Sequence, residues 1–156
     1  MQGTLTAAFQ KQIMETLVET PLYKRLGLQR NDLAGAARAA DSALHSGNAE
    51  EAFRGFAHLV MLDPTNADYH AGLAEAALDL GDFDMALQSA SVVVATRPTA
   101  PEGYFLSARA CLGMEEPALA LEDLAETERW AIKAGKPVYV AAAQKLRVLL
   151  GGATTG

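Results

Sequence analysis

A displacement of 34 residues lays this sequence upon itself. Ala40 falls on Ala74 and then on Ala108, Leu44 on Leu78 and Leu112, and Ala52 on Ala86 and Ala120. Gly47 meets Gly81, and Pro64 meets Pro98. Agreement at one offset among residues with such different backbone roles means a small structural unit copied in tandem. The stretch "LDPTNADYHAGLAEAALDLGDFDMALQ", Leu62 to Gln88, shows its grammar: a turn, a helix, a second turn at Leu80-Gly81-Asp82, and another helix. The repeated alanines mark where two helices cross closely and a larger side chain would force them apart. Gly47 and Gly81 stand where a first helix must end, a place that favours the left-handed backbone. Pro64 and Pro98 follow the second helix and cannot continue it.

A helix–turn–helix unit of this period is the tetratricopeptide repeat. The expected fold is all-α, with three repeats at 33–66, 67–100 and 101–134 wound into a right-handed superhelix. Large apolar residues fill its core, Phe53, Leu87 and Leu121 at one position and Phe56, Ala90 and Leu124 at another. The third unit is degenerate: "GMEEPALA" replaces the glycine turn and Ile132 stands where proline is expected, although Pro117 suits the first turn of a helix. Residues 135–156 supply a C-terminal capping helix, "KPVYVAAAQKLRVLL", and a loose tail. Residues 1–32 begin with a helical face of Leu5, Phe9, Ile13 and Leu17, ending near Thr20-Pro21, and continue with Leu22, Leu26 and Leu28. That leading face either covers the first repeat or forms a dimer interface, since both bury the same residues.

Charge and motif narrow the function. A formal net charge of -6 and a pI near 5.0 argue against nucleic acid, which needs clustered Lys and Arg. No apolar run is long enough to span a bilayer, and the N-terminus lacks the basic start and apolar block of a secretory signal. A single cysteine, Cys111, excludes an internal disulfide and fits a reducing cytoplasm. His45, His58 and His70 have no metal-ligand spacing, and His70 reads as a packed core residue. Cys111, in "ARACLG", reads as a small packed residue rather than a nucleophile. Glu50-Glu51 and Glu115-Glu116 sit beside turns, where they complement helix starts. Neither a phosphate loop nor a nucleophile motif occurs. The expectation is a protein that is not an enzyme and needs no metal or cofactor.

Binding then falls to the concave face, which first helices line at i, i+4, i+7. That spacing selects Ala37, Asp41 and Leu44, then Ala71, Glu75 and Leu78, then Phe105, Arg109 and Leu112. A small and apolar stripe with a few charges suits an extended segment carrying apolar anchors. Leu44, Leu78 and Leu112 serve equally well as core between helices. Tetratricopeptide domains that grip the C-terminal carboxylate of heat-shock chaperones use Lys, Asn and Arg at fixed groove positions. Here those places hold Ala37, Asp41, Gly72, Glu102 and Leu106, so that clamp is missing.

"LDPTNADYHAGLAEA" with its Gly72-Leu73 pair, "GDFDMALQSASVV", and "SARACLGM" with Ala108 and Cys111-Leu112 resemble the class II chaperones of bacterial type III secretion over about Asp41 to Ala131. The first repeat departs from them in its aromatic-poor run Ala36, Ala37, Ala39, Ala40. The resemblance implies a cytoplasmic, non-enzymatic chaperone that holds a translocator protein before export. It also implies a bound segment of the P-x-L-x-x-P kind in the groove. Phe105, Leu78 and Leu112 would then line apolar pockets, Ala71 would admit the proline ring, and Asp41, Glu75 and Arg109 would fix register. The alternative is a tetratricopeptide scaffold or adaptor for another secretion-apparatus or pilus-assembly component.

Overall fold

The computed structural model describes residues 20–153, which form eight helices and no strand. Leu5, Phe9, Ile13 and Leu17 lie outside the described residues. A single turn, α1 (Leu22–Arg25), leads into three hairpins: α2 (Arg30–His45) with α3 (Ala49–Leu62), α4 (Ala67–Leu80) with α5 (Phe83–Thr96), and α6 (Pro101–Gly113) with α7 (Pro117–Ala134). Helix α8 (Pro137–Ala153) closes the array. From α2 onward each helix packs on the next, and α4 also touches α2 and α6, so the first helices form one continuous layer that α8 joins through α6.

Local chemistry fixes the ends of these helices. Gln29 and Asp32 form a reciprocal capping box at α2, with the Gln29 N–H donating to Asp32 Oδ2 at 2.6 Å. Asn66 Oδ1 accepts from the backbone N–H groups of Asp68 and Tyr69, and Asp82 Oδ1 accepts from that of Met85. Pro101 and Pro117 occupy first-turn positions, where the missing N–H costs nothing. Between the helices of the first two hairpins, Gly47 and Gly81 are left-handed, with φ of 81° and 76°. The third hairpin keeps the same bend without glycine: Glu115 takes its place at φ 61°. Where Pro64 and Pro98 follow α3 and α5, Ile132 lets α7 run on, giving 18 residues against 14 in each of those helices.

The repeated alanines form the seams. Ala52, Ala86 and Ala120 are fully buried, as are Ala74 and Ala108, and Ala40 nearly so. Phe56, Ala90 and Leu124 form the core position expected of them. Leu121 does not match Phe53 and Leu87: it is 38% exposed and lines an open cleft beside α8. In the leading segment the buried residue is Tyr23, while Leu22, Leu26 and Leu28 remain exposed. His70, only 8% exposed, donates from Nε2 to the Pro64 carbonyl at 2.7 Å. One repeat later the Tyr104 hydroxyl donates to the Pro98 carbonyl at 2.9 Å, so ring and turn are tied alike in both units.

At the seam between α3 and α4 the Phe56 ring lies directly on the backbone at Gly72 and a Cβ there would overlap the ring, as one at Gly113 would overlap the Phe83 ring. Gly72→Ala is expected to cost about 1–3 kcal/mol, read as a lower urea midpoint, and Phe56→Leu in the same chain should recover part of it. Glu115→Gly should instead stabilise the protein by about 1 kcal/mol and raise Tm by roughly 2–4 °C, because the left-handed conformation no longer carries a side-chain penalty.

Candidate functional site

The layer of first helices carries two adjoining pockets. One, of about 470 Å³, lies over α2, α4 and α6 and is lined by Ala37, Asp41, Leu44, Ala71, Glu75 and Phe105. The other, of about 460 Å³, is lined by Leu78, Phe105, Arg109 and Leu112 together with residues of α8. All nine groove residues selected by helical spacing therefore line one of the two, and Phe105 stands on the partition between them. Leu44 and Leu78 also pack against buried core clusters, so these leucines are shared between core and groove.

Electrostatics differ from the sequence expectation in one respect. Glu75 and Arg109 occupy equivalent positions of successive repeats and pair with each other, Arg109 donating to Glu75 Oε2 at 2.7 Å. The Arg109 guanidinium also lies 5.8 Å from the centre of the Phe105 ring. These two charges thus neutralise one another across the repeat seam. Asp68 pairs with Arg97 at 2.8 Å, and Glu102 pairs with Lys136, leaving Glu102 Oε2 buried without a partner. Asp41 is exposed, with the His45 ring 3.5 Å from its carboxylate.

Several lining residues were not selected by spacing. Phe56 shows through the gap that Gly72 leaves in α4. Tyr139 of α8 meets Phe105 edge to face at 5.7 Å and walls the first pocket. Burial, with the Glu102 carboxylate adding, pushes the Tyr139 hydroxyl above the ordinary tyrosine range, so it is a neutral donor at pH 7. Tyr69 is raised likewise, by burial first and then by Asp63. A signal for the α8 residues was present in the sequence. Carried once more, the 34-residue displacement lays Tyr139 on Phe105 and Leu146 on Leu112. Helix α8 is thus a first helix in register, although its partner helix is missing from the described residues.

Burial, and then the Asp123 carboxylate, push the Cys111 thiol up, which keeps it protonated and poorly nucleophilic. Among the described residues no cluster of His, Cys, Asp or Glu could hold a metal ion, and no helix is long and apolar enough to cross a membrane.

A tetratricopeptide repeat family model matches residues 43–110. No curated protein matches the sequence. Solved structures do. A type III secretion complex from Aeromonas hydrophila is 20% identical with a TM-score of 0.84, covering 93% of this chain and 98% of that one. PcrH, known from Pseudomonas aeruginosa and solved with the chaperone-binding region of PopD, is 22% identical with a TM-score of 0.77, covering 82% and 97%. The Yersinia enterocolitica translocator chaperone SycD is 22% identical with a TM-score of 0.71, covering 85% and 97%. The chain has an all-α fold built of tetratricopeptide-like repeats. In its fold it resembles the translocator chaperones of type III secretion.

The Glu75–Arg109 pair, about a third exposed on both sides, should show a modest coupling. A double-mutant cycle of Glu75→Gln and Arg109→Met is expected to return about 0.5–1 kcal/mol, falling with added salt.

Proposed function

We propose that this protein is a non-enzymatic chaperone of a type III secretion system, which holds an extended segment of a translocator in the groove of its first helices before export. The observation that carries this reading is the pair of adjoining apolar pockets sharing Phe105, a length of groove rather than a single closed cavity. Small residues, Ala37, Ala71 and Gly72, leave depth for side chains, while Leu44, Leu78, Phe105, Leu112 and Tyr139 give apolar walls. PcrH, of similar fold, was solved with segments of PopD and PopB, and SycD with a peptide of the translocator YopD. Covering such a segment would keep a membrane-active client from aggregating, and the cytoplasm, where the client is made, is the place to do so. Asp41 and Arg38 are the charged contacts left open to the client, since Glu75 and Arg109 are engaged with each other. The repeats fall at 33–66, 67–100 and 101–134, with residues 1–32 ahead of them and 135–156 behind.

The test is a fluorescence-anisotropy titration of a labelled P-x-L-x-x-P peptide. Phe105→Asp, checked by circular dichroism for retained helix, is expected to weaken micromolar binding at least tenfold, or about 1.4 kcal/mol. Binding that survives the substitution would move the pocket elsewhere. No binding by the intact protein would favour the adaptor reading, with a folded or helical partner in place of an extended one.

A further inference from the structure

The second pocket differs from the first in how it is built and charged. Its walls come from four helices, with Leu78 of α4, Phe83 at the start of α5, Phe105 and Leu112 of α6, and Ala142 and Leu146 of α8. Leu112 and Leu146 are equivalent residues of successive first helices, so the apolar stripe runs on from α6 into α8. Two cations line this pocket, Arg109 and Lys145. Arg109 is held by Glu75 at 2.7 Å. Lys145 is exposed and has no ion pair among the described residues, and no carboxylate lines the pocket. The first pocket, by contrast, is lined by four carboxylates, Asp41, Asp68, Glu75 and Glu102, against a single cation, Arg38.

We infer that the second pocket takes a second anchor of the bound segment, an apolar side chain flanked by Asp or Glu whose carboxylate meets the Lys145 ammonium. The reading rests on the groove function proposed above and specifies its client. Apolar walls exclude water from the anchor, while an unpaired cation at the rim selects charge at low desolvation cost. The segment crosses the Phe105 partition, passing from the carboxylate-rich pocket to the one whose free charge is positive. First helices about 8–10 Å apart put α2 and α8 three steps from each other, a span of roughly 7–9 extended residues.

The test uses labelled peptides in anisotropy titrations: the P-x-L-x-x-P core alone, and the core joined by a Gly-Ser spacer, at either end, to Leu-Glu or to Leu-Lys. The intact protein should bind the Leu-Glu extension at the productive end about fivefold more tightly than the Leu-Lys one. Lys145→Glu should reverse that order and leave the bare core unchanged. Arg54→Glu, the same charge change on the exposed surface of α3, should leave the order as it was. Equal binding of both extensions at both ends, or a preference that Lys145→Glu does not alter, overturns the second anchor while the core titration still stands for the groove. A core that fails to bind overturns the groove reading, and this inference falls with it.

Discussion

Everything in this array depends on how closely its helices approach. Ala52, Ala86 and Ala120 in the second helices, and Ala74 and Ala108 in the first, have no accessible surface. Residues this small let backbones come together until the larger groups beside them interlock. As at Gly113 of α6 under the Phe83 ring, α4 has no side chain at all at Gly72, and the Phe56 ring of α3 occupies the vacated space. That one contact does two jobs. It sets the separation of the first two hairpins, and it leaves an aromatic surface at the bottom of the groove.

The groove follows from the same spacing. Because every first helix sits in one layer, residues at i, i+4 and i+7 on each helix fall in rows that run across the repeats. Charges at equivalent positions then come within reach of each other, as Glu75 and Arg109 do. A repeat protein thus uses its period twice, once to stack its core and once to align what the core leaves uncovered. The two pockets differ in the helices that wall them and in which of their charges neighbouring helices have already neutralised.

Much of this was legible in the sequence, and the omissions have physical causes. The period could be read because glycine, proline and alanine have few substitutes at a left-handed turn, a helix end and a close crossing. The third turn was obscured because Glu115 holds a conformation that its residue type does not announce. The groove positions on α2, α4 and α6 followed from helical spacing, whereas Phe56 could not, since a second-helix residue reaches the groove only through the absence of a side chain at Gly72. Tyr139 and Leu146 were within reach of the same 34-residue comparison, but a helix read as a cap hides its register as a first helix. The pairing of Glu75 with Arg109 needed the stacked structure, because a one-dimensional pattern marks charges without saying which of them are already spent.

Helix α8 differs from its predecessors in the way it is seated. At the positions where α6 has Ala110 and Gly113 against α5, α8 has Gln144 and Arg147, which reach Glu128 of α7 at 2.9 and 2.7 Å. Polar struts replace small-residue contact there, and an open cleft lined by Leu121, Gln144, Arg147 and Val148 runs along the outer edge of the two helices. Segments held by few buried apolar contacts open most readily. The wall that completes the groove, with Tyr139, Ala142 and Leu146, is held through Ala143, buried against Ala108 and Leu124, and has no helix packed beyond it among the described residues. A client lying against it would act as the missing mortar, so that the tightness of the complex and the firmness of the C-terminal end would be two readings of a single linked equilibrium.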